Sequence, residues 1–311
     1  MVKNFTDPLA ISRRIDFKLK ITNVAAGRQT SLMLAKYEKG NRKKWIVYAS
    51  GINQFGQLGS HKVPTKPRDT TGKDILEQFD ERGMKKWDSE KSENEFENND
   101  EEMLQAFRQV NFEKDMGIPP FYRPLSISAG GAHTAVVFGH VDYDATAPPQ
   151  ENIARAAEFP NFVVTMGNND FGQCGVGSKL YDTYNIIDDQ EYLDGDQMRD
   201  WAPFKTICGE SHTFYLSRKI GMKPSRGWRV FASGLNDEGQ LGLGHYHPVF
   251  TPNVIPKLPP IKQLSSKGDF TLALDIYDQI WGWGSNNDGI FASFTNEVNL
   301  CRPYLLSQKL G

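Results

Sequence analysis

The sequence predicts an all-β repeat protein, a propeller or a solenoid, and three observations carry that reading. A glycine-rich turn segment recurs at spacings of tens of residues. Each copy follows a short aromatic or β-branched run of strand character. A second, looser element of alternating apolar residues precedes each turn unit.

The turn segment is plainest at Gly51-Ile52-Asn53-Gln54-Phe55-Gly56-Gln57-Leu58-Gly59. It returns with Gly167, Asn169, Gly172, Gln173 and Gly175, and again with Gly234, Asn236, Gly239, Gln240 and Gly242. The shared pattern is GxNxxGQxG, with Leu or Cys in the eighth place. A fourth copy keeps Gly284, Asn286 and Gly289 and then drifts, so it reads as a degenerate terminal unit. The strand-like runs before the turns are Trp45 to Tyr48, Phe162 to Thr165, Trp228 to Phe231 and Ile280 to Trp283. An Asn side chain can bond its own local backbone and glycine tolerates positive φ, so these positions are architectural before they are chemical.

The preceding element runs from Ala26 to Leu34, Ala129 to Val137, Cys208 to Leu216 and Ser266 to Leu274. His133-Thr134 and His212-Thr213 share one slot of it, filled by Thr30-Ser31 and Phe270-Thr271 in the outer copies. A slot filled four ways argues for packing, with His133 and His212 bonded to neighbouring backbone at a strand end.

These two elements in this order resemble the regulator of chromosome condensation repeat. The resemblance covers roughly residues 15 to 60 and 121 to 310, including the connecting segments from Thr251 to Leu258 and from Arg302 to Leu306. It implies a β-propeller of four-stranded blades. The family usually closes seven blades of roughly fifty residues each. Setting aside residues 61–120 leaves material here for four or five. The expectation is therefore one propeller-like domain over 1–311, either a small closed ring or an incomplete arc. A last segment paired with the first blade would close the ring. An open arc would leave strand edges exposed and call for an obligatory partner.

Residues 61–120 interrupt the first repeat with an abrupt change of composition. From Lys73 to Asp115 there are fourteen acidic and seven basic residues. The run from Asp88 to Asn99 lacks aliphatic residues and reads as disordered. From Asp100 to Val110 the spacing of Met103, Leu104, Phe107 and Val110 predicts an amphipathic helix that docks on its own propeller or serves as a partner-contact element. A second surface excursion is expected over 139–160, with a short helical pattern at Glu151 to Glu158.

A net charge of −2 draws the protein to no polyanion, and its basic residues are scattered between acids, which argues against a nucleic-acid partner. Cys174, Cys208 and Cys301 form neither a disulfide framework nor a CxxC zinc site, and reduced thiols fit an intracellular protein, of unresolved compartment. No apolar run is long enough to span a bilayer, and the N-terminus carries no apolar signal core. The sequence carries no nucleophile elbow, no phosphate loop and no zinc-protease motif. His245 and His247 alternate as half of a metal site would, without further ligands. The sequence thus points to no catalytic residues, no metal and no cofactor.

The function expected is a noncatalytic scaffold subunit of a larger assembly, with other protein subunits as partners. The resemblance implies two further readings. One is guanine-nucleotide exchange on a small GTPase, an activity that needs no nucleophile. The other is chromatin or nucleic-acid binding.

Overall fold

The computed structural model describes residues 19–39, 42–59, 103–141, 160–177, 185–187, 201–220, 228–291, 295 and 297–306. They build four antiparallel sheets of four strands, each an up-and-down meander. Blade 1 comprises β1 (Leu19–Ala26), β2 (Thr30–Lys39), β3 (Arg42–Ile52) and β4 (Met103–Val110). Blade 2 follows with β5 (Tyr122–Ala129), β6 (His133–His140), β7 (Phe162–Gly167) and β8 (Asn185–Ile187). Blade 3 is β9 (Trp201–Cys208), β10 (His212–Lys219), β11 (Trp228–Gly234) and β12 (Val249–Val254). Blade 4 is β13 (Ile261–Lys267), β14 (Phe270–Asp275), β15 (Ile280–Ser285) and β16 (Asn299–Leu305).

The blades pack face to face through three apolar layers. Leu32, Leu34, Val47 and Ala49 of blade 1 meet Ile127, Val136, Phe138, Val164 and Met166 of blade 2. Ala135, Val137 and Val163 carry the second layer to Tyr215 and Phe231 of blade 3. Phe214, Leu216, Val230 and Ala232 carry the third to Ala273, Trp283 and Leu300 of blade 4. Period-two alternation explains this: each central strand has one row for the blade before and one for the blade after. Both rows are apolar, which is why the strands read as nearly continuous hydrophobic runs.

The ring is not closed by strand exchange. The last segment, β16, pairs with β15 of its own sheet, Trp281 opposite Leu305 and Ser285 opposite Asn299. Of the two architectures the sequence allowed, the four-bladed open arc is the one observed.

One expectation is overturned. The segment with Met103, Leu104, Phe107 and Val110 is not a helix: it is β4, the outer strand of blade 1, with Val110 opposite Val47 and Leu104 opposite Gly51. Its apolar residues satisfy a helical period, yet β3 presents an unpaired edge, and pairing plus burial of Val110 against the first layer outweighs local preference. A helix does occur just beyond it: α1 (Phe112–Met116) starts on the Asn111 cap, ends at Gly117 with φ 68°, and buries Phe112 and Met116. Strand β4 and helix α1 both lie inside the 61–120 interruption, so only its part before Met103 separates the third strand of blade 1 from its fourth. The acidic run from Asp88 to Asn99 and the pattern at Glu151 to Glu158 lie outside the described residues.

Candidate functional site

The four glycine turns lie at one end of the sheets, on the same face as the β1–β2 turn and its counterparts, because Thr30, His133, His212 and Phe270 stand directly opposite Gly51, Gly167, Gly234 and Gly284. The motif is a hydrogen-bond device. Asn53, Asn169, Asn236 and Asn286 each accept, on Oδ1, the backbone N–H five residues on, from Leu58, Cys174, Leu241 and Phe291, every one at 2.9 Å. Gln57, Gln173 and Gln240 accept on Oε1 the N–H two residues back, from Phe55, Phe171 and Glu238, again at 2.9 Å. The first glycine turns the strand away: Gly234 has φ 119°, and a Cβ there would lie 2.5 Å from His212 Cα. The degenerate fourth copy keeps the Asn bond and has Ile290 where the Gln stood.

Each turn is also a clasp on the next blade. The Gln57 carbonyl accepts from Thr134 Oγ1 at 2.7 Å, Gln173 from Thr213 Oγ1 at 2.7 Å, and Gln240 from Trp283 Nε1 at 3.0 Å. Nearer the axis a backbone ladder runs through the first turn of every blade: Arg28 N–H to Gly130 O, Gly131 N–H to Glu210 O, Glu210 N–H to Gly268 O. Sequence reasoning missed Thr134, Thr213 and Trp283 as clasps. The recurrence of Thr after His in the slot was the available signal, but its partner, a main-chain carbonyl, leaves no trace in side-chain identity.

Replacing Asn169 by Ala would strand the buried Cys174 N–H, and such an orphaned donor costs about 1–3 kcal/mol. Urea unfolding of Asn169→Ala should show that loss, and an unchanged midpoint would mean the Asn bond does not hold the turn.

The two histidines are structural. His133 and His212 are fully buried, and their Nε2 atoms lie 2.9 Å from Thr213 Oγ1 and 2.9 Å from Ser266 Oγ in the following blades. Thr213 spends its one proton on the Gln173 carbonyl, so His133 Nε2 is the donor in their contact. Burial pushes His133 down to about 4, and His212 down to about 3 with the neighbouring His133 adding to the effect. They reach neither solvent nor each other in a way that would serve a proton-transfer site.

The remaining sequence candidates are dispersed. His245 and His247 stack with centroids 5.9 Å apart, and His245 Nδ1 is engaged by Asn236 Nδ2 at 3.2 Å. Among the described residues no group of three or more His, Cys, Asp or Glu could hold a metal. Burial raises the Cys174 thiol to about 12 and the Cys208 thiol to about 11, so both are unreactive packing residues. The Phe107 side chain is half-buried and Val110 is buried, so neither forms an exposed apolar ridge for a partner.

What the glycine-turn face offers to solvent is the tip of each turn, and the tips differ. Phe55 and Phe171 stand out from blades 1 and 2, 41% and 42% exposed, with Tyr246 at 45% beside blade 3. Blades 3 and 4 present carboxylates instead: Asp237, Glu238, Asp269 and Glu210 lie close enough that partial burial and then mutual repulsion, chiefly from Asp237, raise Asp269 above the ordinary carboxylate range. Arg28 reaches Glu210 at 3.0 Å. That pair is exposed and so worth at most about 1 kcal/mol.

The model of the regulator of chromosome condensation (RCC1) repeat matches residues 229–274, which run from β11 through the blade 3 turn, β12 and β13 into β14. The chain resembles divergent RCC1-repeat proteins. Among its RCC1-type relatives, the human RCC1-like G exchanging factor-like protein is 28% identical over 306 residues, covering 94% of this chain and 49% of the relative. The X-linked retinitis pigmentosa GTPase regulator of dog is 30% identical over 183 residues, covering 58% of this chain and 15% of the relative. Among solved structures, human WBSCR16 shares the fold of this chain, with TM-score 0.54, 22% identity, and coverage of 92% of this chain and 54% of that one. The chain thus spans about half, or less, of the RCC1-type relatives it matches. Among the described residues no helix is long and apolar enough to cross a membrane.

Proposed function

We propose that this chain is a noncatalytic protein-binding subunit of a larger assembly, engaging a protein partner across the glycine-turn face. The observation that carries the reading is the division of labour within the turns. Glycine, Asn and Gln are consumed by the frame, while the intervening position, Phe55 or Phe171, is left free and aromatic. Exposed aromatics held on a rigid, hydrogen-bonded loop are the residue type that dominates protein interfaces.

Native extraction, separation and mass spectrometry of comigrating proteins test this. A stoichiometric assembly that persists with the wild type and dissolves with Phe55→Ser plus Phe171→Ser is the expected result. Those tips are exposed, so the fold should survive, and a partner retained equally by the double variant would move the interface elsewhere.

A second reading is guanine-nucleotide exchange on a small GTPase. Relatives named as a G exchanging factor-like protein and a GTPase regulator favour it. The test is release of labelled GDP from a panel of small GTPases by the purified chain. Acceleration lost in the same double variant would place exchange on this face, and no acceleration across the panel would retire the reading.

A further inference from the structure

The four glycine turns share one frame, so a single slot of it can be read around the face. The fifth residue of the motif is Phe55 in blade 1 and Phe171 in blade 2, then Glu238 in blade 3 and Asp288 in blade 4. Phe55, Phe171 and Glu238 stand on the same support, each donating its backbone N–H to the Gln two residues on. Backbone bonds to the following blade fix the residues just past the turns, Gly177 N–H to Phe250 O at 3.0 Å and Gly244 N–H to Cys301 O at 2.7 Å. The slot is presented alike and filled differently, aromatic on one half of the face and anionic on the other.

The chain's own cations do not neutralise the anionic half. Arg28 is spent on Glu210, and among the described residues Asp237, Glu238 and Asp288 make no ion pair. Glu238 Oε2 is shielded from solvent and has no hydrogen-bond partner among those residues. Beside it stands the exposed Tyr246, whose phenol is raised by burial first, then by Cys301 and by the charges of Glu297 and Glu238. An aromatic ring set among carboxylates suits a guanidinium or ammonium group, which gains from the ring and from the charges together. A polyanion would be repelled here, and a wholly apolar partner would bury these carboxylates unpaired, at high cost.

We infer that the partner is a protein surface of two-part chemistry, an apolar patch seated on Phe55 and Phe171 and Arg or Lys side chains seated on the tips of blades 3 and 4. The unlike halves admit it in one orientation only, since the reverse would set cations on phenylalanine and apolar groups on carboxylates. The inference rests on the glycine-turn face being the interface and adds to that reading the partner's chemistry and direction.

The test places the photo-crosslinking residue p-benzoylphenylalanine, one site at a time, at positions 55, 171, 237 and 288 of the full chain in the cells that make it. Mass spectrometry should find positions 55 and 171 joined to an apolar stretch, and positions 237 and 288 joined to a stretch rich in Arg or Lys, of one and the same protein. That protein, purified, is then titrated against variants at rising salt. Asp237→Asn plus Glu238→Gln should weaken binding on the order of 10-fold at low salt and flatten its salt dependence, the size expected for two exposed charge pairs. Phe55→Ser plus Phe171→Ser should weaken binding and leave the salt dependence as it is. Asn at 237 keeps an acceptor for Gln240 Nε2, and unchanged urea midpoints would show that both variants fold. An acidic or apolar stretch at 237 and 288, no crosslink from those two positions, capture of nucleic acid or of a second copy of this chain, or a salt dependence indifferent to the carboxylates would each overturn the inference while positions 55 and 171 still report the interface. No crosslink from any of the four positions would overturn the interface as well.

Discussion

Trp283→Ala is expected to destabilise the chain by about 3–5 kcal/mol, the range for deleting a large buried aromatic. Trp283 is fully buried at the junction of blades 3 and 4, edge-on to Phe214 with ring centroids 5.9 Å apart. Its indole also donates to the Gln240 carbonyl at 3.0 Å, in the place where Thr134 and Thr213 serve the earlier junctions. Alanine removes the packing and the clasp together. Trp283→Phe separates them: the ring still fills most of the space, and the Gln240 carbonyl loses its donor at a cost of about 1–3 kcal/mol. Urea unfolding read by far-ultraviolet circular dichroism measures both. A Trp283→Ala loss below about 1 kcal/mol would mean that the fourth blade contributes little to the cooperative fold.

The second large effect is a loss of stability on mild acidification. His133 titrates near 4 and His212 near 3 in the folded chain, against about 6.5 when unfolded. Above about pH 6.5 both are neutral in either state and contribute nothing to the pH dependence. Below it the unfolded chain binds two protons that the folded chain refuses, so stability falls as pH falls, by up to about 1.4 kcal/mol per pH unit for each histidine. The decline continues until pH reaches the folded values. Comparing urea midpoints of wild type and His133→Gln/His212→Gln between about pH 7 and 5 isolates this contribution from the carboxylates. The double variant should show the shallower slope, and equal slopes would mean that the imidazoles accept protons where they stand.

The parts of the fold legible in the sequence are those whose cause is local. The glycine and Asn of each turn announce themselves because positive φ and an Asn cap admit few residue types, and the strands before them are dense in Trp, Phe and Val. The buried roles of His133 and His212 followed from comparing one slot across copies, since a residue replaced by Thr30 or Phe270 elsewhere is filling a place in a repeat. Strand β4 was misread because Met103, Leu104, Phe107 and Val110 satisfy a helical period, and only the presence of β3 beside them decides the matter. The clasps were illegible for a different reason, since a Thr hydroxyl seeking a main-chain carbonyl in another blade has no complementary residue to betray it. Whether the ends join was beyond the sequence too, because β16 has a compatible edge at β15 and would have had another at β1.

The outer edge of blade 1 has a practical corollary. Ile52 stands opposite Met103, so one antiparallel pairing is held across the whole intervening stretch of chain. The entropy of closing such a span grows only with the logarithm of its length, and each doubling adds about 0.6 kcal/mol. Length there is cheap in a way that a single methylene at Trp283 is not. Splicing a folded reporter into that stretch would therefore tag the molecule from the rim of its first blade while leaving all three junctions and their clasps as they are.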